Sequence, residues 1–291
     1  MNLVAVGLAV GATLMWGLTM LWMKLGVDRS NWRVFGFLRP WMGLPFIAAY
    51  AWATGGFEFG SASLVWVGLA GGLVNAFLGT ALFYIALSKG SMHETNILAN
   101  TSPFWGVVGA IAILGEPARW ATFVAGVLVI LGTVFLVRRR VATQERASRR
   151  PALAAALATG ILWGITTTVP TKLCIDGGMS PATYQLLFTV SAAVGWSGLL
   201  LPSLLRGRIR IERKDLGYAF LSSFFGLFIG WVLWLAALGH ADASALAPLN
   251  GLALLFATLL GVLVLRERLT VRILVGGAFT IAGVTLVSVL A

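Results

Sequence analysis

The feature that most constrains this chain is a series of apolar runs, each about as long as a helix that crosses a lipid bilayer. Such a helix needs about 20 apolar residues. Charged residues make up only 11% of the 291 residues, against about 25% in soluble domains, so the bilayer is the expected solvent. We predict ten transmembrane helices, and hence an all-α integral membrane fold, over residues 3–24, 33–53, 62–88, 94–114, 120–137, 152–174, 182–203, 215–238, 242–264 and 271–290.

The first apolar run is predicted to remain as a membrane helix. Residues Met1–Met23 lack a basic leading segment and a clear small-x-small cleavage site, which a signal peptide would carry. The single cysteine, Cys174, excludes an internal disulfide and a multi-cysteine metal site. The sequence also offers no Gly-rich phosphate loop and no metal-ligand cluster, so no cofactor is expected.

A set of sequence motifs occurs twice, once on each side of the basic stretch at 138–151 (RRRVATQERASRRP). A Trp-Gly pair recurs in the first span of each half, a glutamate ends the fourth, and spaced glycines occupy the fifth. The matching segments are Met15–Thr19 with Leu162–Thr166, Leu114–Glu116 with Leu265–Glu267, and Gly126 and Gly132 with Gly277 and Gly283. Their shared order predicts an internal repeat.

The repeat predicts two domains of five helices. The first covers residues 1–140, a basic linker covers 141–151, and the second covers 152–291. Because five is an odd number, the two halves enter the membrane from opposite sides, which makes the repeat inverted. Inverted repeats are common in secondary transporters, whose substrate sites lie near the midplane between the halves.

The basic residues set the orientation. Of the 21 lysines and arginines, all but Arg119 and Lys172 fall on one side of the ten predicted spans. Cytoplasmic loops carry the excess of such residues, so we expect the 138–151 loop in the cytoplasm and both termini outside. Topology therefore accounts for the net charge of +11, and no nucleic-acid partner is expected.

These repeated motifs resemble the drug/metabolite transporter superfamily, and within it the ten-helix proteins with two EamA-type domains. The resemblance implies a central cavity among helices 1, 3, 4, 6, 8 and 9, with helices 5 and 10 at the periphery. The halves are not equivalent, because Pro103 corresponds to Leu254, and Arg39 in the second span has no basic counterpart near Gln185 in the seventh. The tryptophan-rich centre most resembles the aromatic amino acid exporters.

Eight residues are candidate substrate ligands. Tryptophans can stack against an apolar or cationic group, or can simply pack beside the neighbouring glycines. Buried amides and hydroxyls need partners, which a substrate or an adjacent helix can supply. The candidates are Trp16, Trp163, Asn75, Tyr84, Asn96, Asn100, Ser244 and Asn250.

Charged residues near the spans receive other predictions. Arg39 is expected to extend to the cytoplasmic surface. Glu116 and Glu267 precede the fifth and tenth helices and are expected to stabilise helix N-termini. No predicted helix centre carries Asp or Glu, which argues against proton-coupled cation antiport and favours a neutral, zwitterionic or mildly anionic substrate.

The sequence therefore predicts a secondary transporter in the bacterial inner membrane that exports small metabolites, in particular amino acids including aromatic ones, by alternating access. It is expected to be a monomer, with oligomers left open. A transporter of choline or another quaternary amine is the alternative.

A different class is a rhomboid-like intramembrane serine protease, because residues 195–198 read Gly-Trp-Ser-Gly and Trp32-Arg33 matches a pair in the first loop of such proteases. Its nucleophile, Ser197, would need a nearby histidine, yet His240 is predicted on the opposite side of the membrane. A scaffolding membrane protein is the third class. No enzymatic activity is expected.

Overall fold

The computed structural model describes residues 2–27, 31–55, 57–89, 92–136, 146–207, 209, 211–264 and 270–290. Within these ranges the regular secondary structure is helical, which confirms the predicted all-α fold. Glu267 lies outside the described residues, as does the side chain of Asn96.

Ten helical spans follow one another along the described chain, one for each predicted run. Five are single helices: α1 (Leu3–Val27), α2 (Trp32–Ala53), α5 (Trp120–Leu136), α7 (Pro181–Leu205) and α10 (Val271–Leu290). A sixth, α6 (Arg146–Asp176), begins inside the segment predicted as the linker.

The other four spans are not single regular α-helices. Two contain a π-helical segment: α3 (Ala62–Gly72, π Leu73–Gly79, Thr80–Lys89) and α8 (Arg213–Ser222, π Ser223–Gly230, Trp231–Leu238). The other two are broken: α4 (Met92–Ala99, Ser102–Leu114) and α9 (Ala243–Leu246, 3-10 Ala247–Gly251, Leu252–Val264).

Length and composition support the membrane assignment. Eight helices in the described chain are long and apolar enough to cross a membrane, and α5 is a shorter apolar helix. The remaining span, α2, has 22 residues and is more polar because it carries Arg33 and Arg39. The molecule is a multi-pass membrane protein.

The two halves are interleaved, since most close contacts join helices of opposite halves. α1 packs against α8 and α9, while α6 packs against α3 and α4. The same exchange pairs α2 with α7 and α5 with α10. The core of the protein is therefore the interface between the repeats.

The glycine of each Trp-Gly pair allows one of these close approaches. A Cβ added to Gly164 would lie 2.3 Å from the main-chain oxygen of Ser102 in α4. A Cβ added to Gly17 would lie 3.0 Å from the oxygen of Ala253 in α9. Small residues at such crossings bring membrane helices into main-chain contact, so each pair fixes the first helix of one half against the fourth of the other.

The outer pair of helices, α5 and α10, also packs through small residues. A Cβ at Gly132 would lie 2.3 Å from the Thr280 hydroxyl, and one at Gly276 would lie 2.8 Å from the Gly132 oxygen. Of the spaced glycines noted in the sequence, Gly132 and Gly283 belong to the α5–α10 contact, whereas Gly126 faces Phe104 of α4 and Gly277 faces Leu255 of α9.

Glu116 stabilises a helix N-terminus, although the helix is in the opposite half. Gly115, with φ of +70°, ends α4 in the left-handed conformation. The following Glu116 carboxylate accepts hydrogen bonds of 2.8 Å from the N–H groups of Ala243 and Ser244, which begin α9. From the sequence, Glu116 was predicted to stabilise the N-terminus of α5, the helix that follows it in the chain. The contact with α9 could not be predicted, because the sequence does not reveal how the halves pair.

Candidate functional site

The π-helical segments of α3 and α8 occupy corresponding positions near the middle of their spans. In a π-helix the hydrogen bonds reach from i to i+5, so one carbonyl loses its usual helical partner, and such segments are frequent at functional sites. In both segments a tryptophan from the opposite half donates to a main-chain carbonyl, and in the first segment that carbonyl also accepts from the N–H of Thr80. Trp163 Nε1 lies 3.2 Å from the oxygen of Asn75, and Trp16 Nε1 lies 3.2 Å from that of Gly226.

The next carbonyl in each segment is bound by α7. Trp196 Nε1 donates to the oxygen of Ala76 over 2.8 Å, and the Gln185 amide donates to the oxygen of Leu227. Both side chains are almost completely buried. Gln185 had no predicted role, because a lone amide in an apolar span does not reveal that it faces a π-helical carbonyl.

The fourth helix of each half is interrupted at a corresponding depth. α4 stops at Ala99 and resumes at Ser102, leaving Asn100 and Thr101 between its two parts. In α9 the interruption is the 3-10 turn at Ala247–Gly251. Irregular backbone at membrane depth is tolerated where it is buried in protein or lines a cavity, and discontinuous helices at the repeat interface form substrate sites in many transporters.

Asn250 lies in the α9 interruption and has an unused acceptor. Its Oδ1 is buried and has no hydrogen-bond partner among the described residues. A buried amide oxygen without a partner costs about 1–3 kcal/mol. This atom is therefore available to a hydrogen-bond donor from outside the chain.

The two repeat-related tryptophans lie in different aromatic groups. The ring of Trp16 lies 5.9 Å from that of Trp231 and 5.4 Å from that of Trp234. The ring of Trp163 lies 5.2 Å from that of Phe83. Both are half-buried, so each tryptophan combines its main-chain bond with a partly accessible ring.

Two of the predicted ligands already have partners within the chain. The Asn75 amide donates to the hydroxyls of Thr166 and Thr167 in α6, at 2.8 and 3.0 Å. Ser244 is buried at the start of α9, where its N–H binds Glu116. Asn75 thus joins Trp163 at the α3–α6 contact, and Asn250 shares the α9 interruption with no other predicted ligand.

Tyr84 lies apart from the helix interruptions, beside Arg39. The electrostatic interaction of these two side chains places the guanidinium next to the phenol. Arg39 lines a cavity in the protein interior, and its Nε is buried without a hydrogen-bond partner among the residues that the structure describes. The Arg39 Nε thus lies in the protein interior, while the extension of the side chain to the cytoplasmic surface stays a prediction.

The hydroxyl of Ser197 is engaged in helix packing. It donates to the oxygen of Ala193 over 2.6 Å and accepts from Trp41 Nε1 over 3.0 Å. A serine nucleophile instead donates to a histidine or another base. The Gly-Trp-Ser-Gly sequence consequently serves the α2–α7 contact in this structure.

Ten spans in two interleaved five-helix repeats, with broken helices facing each other across the repeat interface, define a two-repeat membrane transporter. Comparison with known proteins makes the class specific, since the profile of the EamA-like transporter family matches residues 3–138 and again 150–289. The chain belongs to the EamA-like transporter family, whose members move small-molecule substrates across membranes.

Individual relatives agree with this assignment. An uncharacterized transporter of Archaeoglobus fulgidus is 25% identical over 286 residues, which cover 94% of this chain and 93% of the relative. A crystal structure 18% identical in sequence superimposes with a TM-score of 0.82, covering 99% of this chain and 97% of that one. At that identity the second likeness concerns the fold alone.

Proposed function

We propose that the protein exports amino acids, including aromatic ones, from the bacterial cytoplasm by alternating access between its two halves. The observation that carries the proposal is the unpartnered Asn250 Oδ1 in the interrupted span α9. An ammonium group offers three hydrogen-bond donors and can satisfy this oxygen.

The surroundings favour a zwitterion over a simple cation. The centres of the described spans carry no Asp or Glu, whereas a cation bound within the membrane would need such a partner. The accessible faces of Trp16 and Trp163 suit the apolar part of an amino acid. Asn100, in the α4 interruption, supplies a polar group from the other half.

Interruptions in α4 and α9 also suit a conformational cycle. Non-helical residues absorb changes in φ and ψ, so they allow rigid parts of helices to tilt. Because α1 and α6 are each packed against the opposite half, a rocking motion of one half would alter access to the residues between them. The proposed cycle needs no covalent chemistry.

A quaternary amine is the second candidate substrate. The indole ring of Trp16 lies within 6 Å of the rings of both Trp231 and Trp234. Aromatic faces attract such cations. Choline has one hydrogen-bond donor, its hydroxyl group, for the Asn250 oxygen. An amino acid has the three N–H donors of its ammonium group.

Uptake into proteoliposomes tests the proposal directly. The panel is radiolabelled phenylalanine, leucine, choline and a sugar phosphate, each with and without a proton gradient. Saturable uptake of amino acids supports the proposal, and saturable uptake of choline alone would replace it with the second candidate. If the folded protein transports no compound of the panel, the amino acid proposal is wrong.

We propose an orientation with both termini outside and residues 138–151 in the cytoplasm, as the distribution of basic residues indicates. The native chain has one cysteine, Cys174, which is buried. A single cysteine introduced as Gln144→Cys, in a Cys174→Ser background, should react with an impermeant maleimide only after the cells are permeabilised. Labelling in intact spheroplasts would reverse the orientation.

A further inference from the structure

A narrow cavity lies where α2 and α3 of the first half meet α7 and α8 of the second. Gly36, Arg39 and Pro40 line it from α2, and Ala192 and Trp196 from α7. Its other walls come from α3 and α8, namely Ala76, Thr80 and Leu227. Ala76 and Leu227 belong to the two π-helical segments, so the cavity lies at the repeat interface near mid-membrane. It has room for about one water-sized group.

Charge is distributed unevenly around this cavity. Among the eight residues that line it, Arg39 alone is charged. Within the described part of the chain, its Nε is buried without a hydrogen-bond partner. The neighbouring Tyr84 is 2% exposed, and its hydroxyl lies against the Arg39 guanidinium and has no other hydrogen-bond partner in the described chain. Two donor groups therefore lie side by side with unused hydrogen-bonding capacity.

A buried guanidinium strongly favours an anion. It remains charged in proteins and presents five N–H donors in a planar fork. A charge within the membrane is costly and usually marks a functional site. Because the cavity lining contains no carboxylate, a compact anion from outside the chain would supply the missing countercharge.

We propose that this cavity receives one anionic atom, a carboxylate oxygen or a chloride ion, with Arg39 as its charge partner and the hydroxyl of Tyr84, which lies beside Arg39, as an additional donor. Two sources share this chemistry: the carboxylate end of a transported amino acid, and a free anion such as chloride. The first source rests on the proposed function, and the second is independent of it.

Thermal unfolding of the purified protein in detergent tests the site without requiring transport. With HEPES as the sole buffer anion, sodium acetate and sodium chloride are titrated in separate series. Wild-type protein should show a saturable rise in Tm with at least one of them. Arg39→Gln should weaken the apparent affinity at least tenfold, and Arg39→Lys should recover part of it. Tyr84→Phe should weaken it about threefold or more.

The matched control is Arg33→Gln, which removes the same charge from an exposed position on the same helix. This variant should respond to anions as the wild type does. If the wild type shows no saturable shift with either anion, or if Arg39→Gln and Arg33→Gln respond alike, the proposed site is wrong. Arg39→Lys keeps the test valid should Arg39→Gln fail to fold.

A further pair of ligands separates the two sources. Phenylalanine that raises Tm in the wild type, with phenylalaninamide inactive and both inactive in Arg39→Gln, assigns the site to the substrate carboxylate. A chloride response that phenylalanine leaves unchanged assigns it to a free anion. If Arg39→Gln transports phenylalanine with the wild-type KM, Arg39 does not bind the substrate carboxylate. The proposal of amino acid transport would be unaffected by that result.

Discussion

The indole nitrogen of Trp163, in the first helix of the second half, lies 3.2 Å from the main-chain oxygen of Asn75, in the third helix of the first half. The same relationship joins Trp16 to Gly226. Each bond reaches a carbonyl within a π-helical segment, and each is accompanied by a glycine that brings the fourth helix close. The repeated Trp-Gly pair is therefore a structural link between the halves as well as a candidate substrate contact.

Trp163→Phe tests the structural part of this role. The variant keeps an aromatic ring and loses the N–H donor, which leaves the Asn75 oxygen without that partner. We expect the free energy of unfolding to fall by about 1–2 kcal/mol, as measured by denaturation in detergent micelles. Trp66→Phe is the control, because Trp66 is 71% exposed, and it should change stability by less than about 0.5 kcal/mol. Equal effects of the two variants would contradict a stabilising role for the bond.

Gly164→Ala tests the contact between α4 and α6. Its new Cβ would lie 2.3 Å from the Ser102 oxygen, so the helices must separate, and we expect a loss of about 2–3 kcal/mol in unfolding free energy. Gly7→Ala is the matched control in α1, where a Cβ meets no atom within 4 Å. Helix propensity predicts that this control is neutral or gains up to about 1 kcal/mol. A well-tolerated Gly164→Ala would show that the crossing is looser than described.

Glu116→Ala tests the bond between the end of α4 and the start of α9. The carboxylate accepts from Ala243 and Ser244, and its loss should lower Tm and cost about 1–2 kcal/mol. Glu116→Gln, which keeps one acceptor, should be intermediate. Glu58→Gln alters an exposed carboxylate and should leave Tm unchanged. If all three variants have the same Tm as wild type, Glu116 does not stabilise α9.

Ser197→Ala separates the transporter from the intramembrane protease. The hydroxyl bonds to Ala193 and Trp41 in helix packing, so its loss should leave substrate uptake unchanged and lower stability by no more than about 1 kcal/mol. Proteolysis of a membrane-embedded peptide by wild type, abolished in this variant, would contradict the expectation.

The number and type of helices could be predicted from the sequence, because each apolar run is as long as the bilayer is thick. For α10 the predicted bounds match the observed Val271–Leu290. For α6 they do not, since the helix continues back to Arg146 through residues that hydropathy assigns to a polar linker. The π-helical segments were not predicted, because their i to i+5 bonding leaves no mark on the pattern of apolar residues.

Only part of the candidate site could be predicted from the sequence. The repeat identified Trp16 and Trp163, yet their bonds to Gly226 and Asn75 depend on how the halves interleave. Arg39 was visible as a charge in an apolar run, but the direction of its side chain depends on packing against α3 and α7. Gln185 carried no recognisable signal, since its partner is a main-chain oxygen.

We propose that amino acids cross the membrane through the site that contains Asn250. The most direct measurement is saturable counterflow of radiolabelled phenylalanine in proteoliposomes, comparing wild type with Asn250→Leu. Leucine is similar in size and removes an unpartnered buried oxygen, so the variant should be as stable as wild type or more stable. We expect phenylalanine counterflow in wild type and its loss in this folded variant. Equal counterflow in both proteins would contradict the assignment of the site, and no counterflow in folded wild type would contradict amino acid transport.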